Sequence, residues 1–252
     1  MLVISVRTPY HLLDSMTSES MITVLIPALN EEAAIRRTIE EVRSALDATF
    51  PHSEIIACDD GSTDATGRLM EEQARLDPRV HVIHHASPMG LGHDYWEAAQ
   101  IAKGESLTMV PGDAEITGSS IELLFREAGK ADIVSCYAIN PVIRGFKRRF
   151  VSRTYVFLIN TLFGYGLRYY NGPCLVRTSL LRTLPKPTAS FAYMTETVVR
   201  LLDQGATIRE IEMTLRKRPS GKTKAFALKN VTGVVKTIGS LFWSLRVQRS
   251  TS

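Results

Sequence analysis

Glu54-Ile55-Ile56-Ala57-Cys58-Asp59-Asp60-Gly61-Ser62-Thr63-Asp64 is the stretch that decides the fold. Ile55 to Cys58 form a short apolar run, the mark of a strand buried on both faces. A glycine turn with three carboxylates follows at once. In an open α/β sheet, ligands bind beyond the carboxyl ends of the strands. Carboxylates placed there can serve a base, a ribose or a metal. One strand–helix unit upstream, Val24-Leu25-Ile26-Pro27-Ala28-Leu29-Asn30-Glu31-Glu32 repeats the plan, with an apolar strand running into an acidic turn.

The periodicity predicts strands over 21–28, 54–58, 80–84, 106–110 and 131–137. It predicts helices over 31–46, 63–76, 93–102 and 120–128. Ile35, Ile39, Val42 and Leu46 set the first helix by their spacings of three and four. Asn30 is expected to cap it, with Glu31 and Glu32 in its positive first turn. This alternation implies an α/β fold: one mostly parallel sheet with helices on both faces. Acidic clusters then fall at three strand ends, 30–32, 59–64 and 113–115.

After Tyr137 the character changes. Arg144-Gly145-Phe146-Lys147-Arg148-Arg149-Phe150 is basic with interleaved aromatics. No nucleic-acid module accompanies it, so an interfacial or core helix is expected within 144–170, and no nucleic-acid partner. A turn over 169–173, a helix over 191–204 stopped by Gly205 and an extended segment over 207–215 follow. In the tail, Leu228, Val231, Val235, Ile238, Phe242 and Leu245 make one apolar stripe. That stripe is open to three uses: packing on its own domain, pairing with another subunit, or lying on a bilayer.

The chain has 252 residues, enough for one large domain, with a net charge of +4 that permits anionic partners without demanding them. Cys58, Cys136 and Cys174 are far apart and form no CxxC pair, so small buried thiols in a reducing compartment are expected rather than a disulfide framework. No apolar run reaches the roughly 20 residues of a spanning helix. The expected setting is cytoplasmic, with peripheral attachment at the cytosolic membrane face open. The division read from the sequence is an N-terminal extension over 1–20, a main domain over 21–224 and an amphipathic helix and tail over 225–252. Nothing in the sequence sets the oligomeric state.

Asp113 and Glu115 stand two apart at a strand end. Carboxylate oxygens suit Mg2+ or Mn2+, which commonly share their shell with substrate phosphates. The alternative for the same residues is an acidic turn that caps a helix. His81, His84 and His85 are a weaker metal candidate, because His81 and His84 would point to opposite faces of a strand. Gly90-Leu91-Gly92 lacks the third glycine of a dinucleotide fingerprint and reads as a turn permitting close approach to a ligand.

Taken in order, the motifs resemble family 2 glycosyltransferases, in particular the dolichyl- or polyprenyl-phosphate sugar synthase branch. They are Ile26-Pro27-Ala28-Leu29-Asn30-Glu31, the 59–66 stretch, Gly90-Leu91-Gly92, Pro111-Gly112-Asp113-Ala114-Glu115, Asn171-Gly172-Pro173, Glu196 and Arg218-Pro219-Ser220-Gly221-Lys222-Thr223-Lys224. The resemblance implies a GT-A-type (Rossmann-like) catalytic domain using a nucleoside diphosphate sugar donor and a polyprenyl phosphate acceptor. It implies that Pro27, Glu31 and Asp60 line the nucleotide pocket and that Asp113 and Glu115 hold Mg2+ or Mn2+. Arg218 and Lys224 would face phosphate, and Glu196 would contact the sugar or organise an arginine; an exposed helical Glu is the competing reading. The chain departs from the family pattern at Leu29, Pro111, Tyr137 and Asn171. At Tyr137 an arginine is expected nearby instead, from Arg144, Arg149 or Arg153. A saccharide or other hydroxyl acceptor, and a non-catalytic nucleotide-sugar binder, are the alternative functions.

Overall fold

The computed structural model describes residues 21–140, 145–188, 192–217 and 228–247. The apolar runs become β1 (Ile22–Ala28), β2 (Ser53–Asp59), β3 (Val80–His84), β4 (Ser106–Met109), β5 (Ile133–Ala138), β6 (Cys174–Arg177) and β7 (Ile208–Met213). They form one sheet in the order β3-β2-β1-β4-β6-β5-β7. β6 runs antiparallel to both neighbours, and the other pairings are parallel. Every residue of β1 and β2 is buried, as strands covered on both faces require.

The helices are α1 (Ile35–Asp47), α2 (Thr66–Leu76), α3 (Leu91–Ile101), α4 (Gly118–Arg126), α5 (Phe146–Phe163), α6 (Thr178–Leu181), α7 (Tyr193–Asp203) and α8 (Leu228–Phe242). On one face of the sheet Ile35, Ile39, Val42, Met70, Ile121 and Phe125 close a core. On the other, Tyr95, Phe163, Val199 and Leu241 do so. Each fully buried aliphatic or aromatic side chain contributes roughly 1.5–3 kcal/mol relative to exposure, and these two layers cover the sheet on both faces. The three cysteines are buried free thiols.

From β1 the chain moves outward to β2 and β3, then returns to β4 on the other side of β1. The loops after β1 and β4 therefore part company at the carboxyl edge. That is the topological switch point where open α/β sheets bind ligands.

Asn30 does not cap α1. It adopts φ 58°, the left-handed region that Asn tolerates better than most side chains. Its carboxamide is drawn instead to Thr63. α1 starts at Ile35 after a turn built on the Glu31 carbonyl, which accepts from the N–H groups of Ala34 and Ile35. Neither Glu31 nor Glu32 lies in the first turn of the helix.

α8 packs on the protein's own core, and the helix continues as a π-helical stretch over Trp243–Val247. Ile238 and Leu241 are buried, with Val234, Phe242 and Leu245 against them. Val235, counted in the expected stripe, is 65% exposed. Leu241, left out of it, is buried, so the covered face is rotated from the one that the sequence spacing selects.

Candidate active site

The first two acidic loops are zipped together. Asn30 Oδ1 accepts the Thr63 N–H at 2.8 Å, and the Asn30 N–H donates to Ser62 Oγ at 3.0 Å. The Glu31 N–H donates to Thr66 Oγ1 at 2.8 Å, and Glu32 accepts the Ala65 N–H at 3.0 Å. Asp64 accepts from the Thr66 N–H and hydroxyl. Asp59 accepts the Ser62 N–H at 3.0 Å and lies 3.1 Å from His84 Nδ1. Asp59 and Asp64 thus hold loop backbone. Gly61 sits at φ +75° with the Ser87 carbonyl carbon 2.8 Å from where a Cβ would be, so no side chain fits there.

Asp60 is 5% exposed. Its oxygens accept the N–H groups of Met89 at 2.6 Å and Gly90 at 3.0 Å, and His85 Nδ1 lies 3.1 Å away. Its own N–H donates to the Ala28 carbonyl at 2.9 Å, while the Gly112 N–H donates to the Pro27 carbonyl at 3.0 Å. Pro27, Asp60 and the entrance to the 112–115 loop are thereby brought to one edge of the sheet, with half-buried Glu31 at its rim.

Asp113 and Glu115 are 5% and 6% exposed. Asp113 Oδ1 accepts the Glu115 N–H at 2.9 Å, and the turn between them places Ala114 at φ 53°. A left-handed alanine costs about 1–2 kcal/mol. Thr38 of α1 holds this turn from below: its hydroxyl donates to the Gly112 carbonyl and accepts the Ala114 N–H, both at 3.1 Å. Nothing in the sequence marks Thr38, because its partners lie more than seventy residues away.

Cations approach this pair. Arg148, on the first turn of α5, comes within 3.7 Å of Glu115 Oε1. It belongs to the basic run near which an arginine was expected, although the expected residues were Arg144, Arg149 or Arg153. Arg153 is exposed, and Arg144 lies outside the described residues. The Arg216 N–H donates to the Glu115 carbonyl at 2.7 Å, and its guanidinium forks onto Glu41 at 2.6 and 2.8 Å. The chain thus passes Glu115 two residues before Arg218. Arg218 and Lys224 themselves lie outside the described residues.

Glu196 is 8% exposed on α7, not on an open helix face. It accepts the Thr188 N–H at 3.0 Å and pairs with Arg200 at 2.9 Å. Its neighbours Tyr95, Trp96, Pro185 and Pro187 line a small cleft with it. A Cβ at Gly92 would collide with the Thr188 carbonyl oxygen, so the close approach at Gly90-Leu91-Gly92 is to the protein's own backbone. Asn171 accepts from Thr195 Oγ1 at 2.8 Å, and that hydroxyl accepts from Tyr155 at 2.8 Å.

Behind Asp60 lies a second polar group. Burial pulls His85 down, but bonds to Asp60 and Glu97 outweigh it and leave its pKa above the ordinary value. Burial first, then the Asp60 charge, push the Asp94 carboxyl up to about 7.

α5 carries Phe146, Phe150 and Phe157 exposed by 74%, 63% and 72%. Spacings of four and seven put them on one helix face, with exposed Arg153 among them. No described helix is long and apolar enough to cross a membrane.

Residues 23–184 match the family model for glycosyl transferase family 2. The putative glycosyltransferase EpsH of Bacillus subtilis (strain 168) is 34% identical over 116 residues, 46% of this chain and 33% of its own length. Polyprenol monophosphomannose synthase of Mycolicibacterium smegmatis is 28% identical over 218 residues, 80% of this chain and 79% of its own. The chain spans about a third of the length of several curated relatives that it matches. Glucosyl-3-phosphoglycerate synthase from Mycobacterium tuberculosis, solved with Mn2+, UDP-glucose and phosphoglyceric acid, superposes with a TM-score of 0.72 at 18% identity. That superposition covers 94% of this chain and 85% of the other, and it shows a shared fold.

Proposed function

Because the chain belongs to glycosyl transferase family 2, we propose that it moves a sugar from a nucleoside diphosphate donor to a polyprenyl phosphate at the cytosolic face of a membrane. The observation that carries the reading is the meeting of Pro27, Asp60 and the 112–115 loop at the carboxyl edge of β1, β2 and β4. The acceptor class is supported by the mycobacterial polyprenol monophosphomannose synthase, which aligns along most of both chains. The exposed phenyl face of α5, whose first turn brings Arg148 to Glu115, supports a lipid surface nearby.

Asp113 and Glu115 offer hard oxygen donors, fixed by Thr38 and the strained Ala114 turn, and they fit a divalent ion of the Mg2+ or Mn2+ type. When bound, such an ion offsets charge on the departing diphosphate. Pro27 and Glu31 would line the base and ribose, and Asp60 would fix the Met89–Gly90 wall of that pocket. Arg148, Arg218 and Lys224 would gather the anionic acceptor, since guanidinium forks onto phosphate oxygens and lysine adds a point charge. Glu196 would act as a positioning residue through Thr188 and Arg200.

Such an acceptor needs no general base. A phosphate oxygen is already anionic at neutral pH and attacks the anomeric carbon directly. The bond from that carbon to the diphosphate oxygen breaks, and the nucleoside diphosphate leaves with the electron pair. No proton has to move, so alignment and electrostatics carry the rate.

Transfer of radiolabelled sugar from a panel of nucleotide sugars into extractable lipid tests this. Asp113→Ala should abolish it and EDTA should mimic the substitution. Lipid transfer indifferent to both would overturn the reading. A water-soluble glycoside made without lipid phosphate would move the acceptor to a hydroxyl compound. Metal-dependent nucleotide binding with neither transfer nor donor hydrolysis would make the chain a binder.

A further inference from the structure

The proposed transfer chemistry leaves unused a cluster behind Asp60. His85 follows β3 and turns inward, its side chain 10% exposed. Its Nε2 lies 2.8 Å from Glu97, and its Nδ1 lies 3.1 Å from Asp60 and 3.6 Å from Asp94. The His93 ring stands edge-on to it, with centroids 5.3 Å apart. Asp94 is 1% exposed, and among the described residues neither of its oxygens has a hydrogen-bond partner; nor has Nδ1 of His93. Burying a carboxylate in that state is costly unless something positive meets it. Three acids, Asp60, Asp94 and Glu97, face one imidazole here. The Lys186 ammonium bears on His93 but stacks over the Trp96 ring, 4.7 Å from its centroid.

One ligand atom from each of His85, His93 and Asp94 lies within 4.8 Å of the others, and the same holds for Cys58, His85 and Glu97. We infer that His85, His93 and Asp94 form a site for a zinc-type divalent transition-metal ion, separate from Asp113 and Glu115. Two imidazoles with a carboxylate suit Zn2+, whereas Mg2+ prefers an all-oxygen shell. Glu97 stands where a carboxylate stands behind many metal-binding histidines, fixing the ring through its other nitrogen. An ion there would tie the first turn of α3 to the end of β3. That would brace the Met89–Gly90 wall which Asp60 grips. The strand histidines His81 and His84 take no part; the second and third ligands come from across the Gly90 turn.

Binding of such a resident ion needs neither donor nor acceptor. Full-length chain stripped by chelator is equilibrated with ZnCl2 in millimolar MgCl2. Retained zinc is measured by elemental analysis, and Tm is recorded alongside. The expected result is about one equivalent of Zn2+ retained per chain and a Tm rise of at least about 2 °C. His93→Ala and Asp94→Asn should each weaken retention at least about tenfold, and Asp113→Asn should keep it. Co2+ in place of zinc should show the absorption of a tetrahedral site. Should Asp94→Asn fail to fold, His93→Ala decides, its side chain being 17% exposed. No zinc held by the wild type, or zinc held equally by the variants, overturns the site. Zinc lost only in Asp113→Asn also overturns it, and leaves the sugar-transfer reading standing.

Discussion

The Asp60 carboxylate receives the backbone N–H of Gly90 at 3.0 Å. Through that bond, and its partner from Met89, the end of β2 grips the turn that opens α3. Asp60 is therefore a fastener of the pocket wall as well as part of it. Replacing it with Ala strands two N–H donors and removes a partner of His85. The expected cost is ~1–3 kcal/mol of stability, read by urea denaturation. If donor binding depends on that wall, KM for the nucleotide sugar should rise about tenfold or more, with a smaller change in kcat. A kcat defect alone would argue for a direct part in chemistry.

Thr38 supports Asp113 and Glu115 without belonging to their loop. Thr38→Val keeps the shape but leaves the Ala114 N–H and the Gly112 carbonyl unpaired. It should cost ~1–3 kcal/mol. It should also raise the Mg2+ or Mn2+ concentration needed for half-maximal transfer. Unchanged metal dependence would mean the turn holds its form alone.

At Ala114 the backbone sits at φ 53°. Ala114→Gly removes the Cβ penalty, so stability should stay level or rise by up to ~1 kcal/mol, measured as Tm. Ala114→Val, branched at the same φ, should lower Tm and disturb metal-dependent activity together.

Asp77 gives a pH signature far from the site. Hydrogen bonds from Arg79, with Arg43 alongside at 2.8 Å, outweigh burial and hold its carboxyl down to about 2. A depressed carboxylate pKa stabilises the folded state above the unfolded value near 3.9, and the benefit is lost as pH falls toward 2. Asp77→Asn should cost ~2 kcal/mol at pH 7 and progressively less between about pH 4 and pH 2. Parallel stability curves for the two proteins over that window would refute the assignment.

The phenyl face of α5 predicts lipid contact. Phe150→Glu and Phe157→Glu should each weaken co-sedimentation with anionic vesicles about tenfold, the worth of ~1.5 kcal/mol per lost phenyl. Because both side chains are exposed, Tm should barely move. Vesicle binding unchanged in the double variant would remove this face from consideration.

The order of elements and the carboxyl-edge placement of the acids were legible in the sequence, because two-sided burial and amphipathic spacing write themselves into neighbouring residues. What escaped has a common cause. β6 takes its place by antiparallel pairing with β4 and β5, which lie far from it in sequence. Thr38, Arg148 and the Asp60–Gly90 grip act between segments distant in sequence. Asn30 reads as a helix cap by its type, yet tertiary bonds to the Thr63 segment claim it. Val235 fits the tail stripe by spacing alone, but the core that α8 meets lies on the Ile238–Leu241 side.

β6 also has a bearing on biogenesis. It is the seam between β3-β2-β1-β4 and β5-β7, pairing Leu107 with Val176 on one side and Val134 with Leu175 on the other. A nascent chain that has emerged only as far as Gly172 therefore carries β4 and β5 with facing, unsatisfied edges. Such edges invite mispairing with other chains. Ribosome stalling or truncation ahead of Cys174 should yield insoluble, chaperone-bound fragments, while chains extended through β7 at Met213 can join the two halves of the sheet.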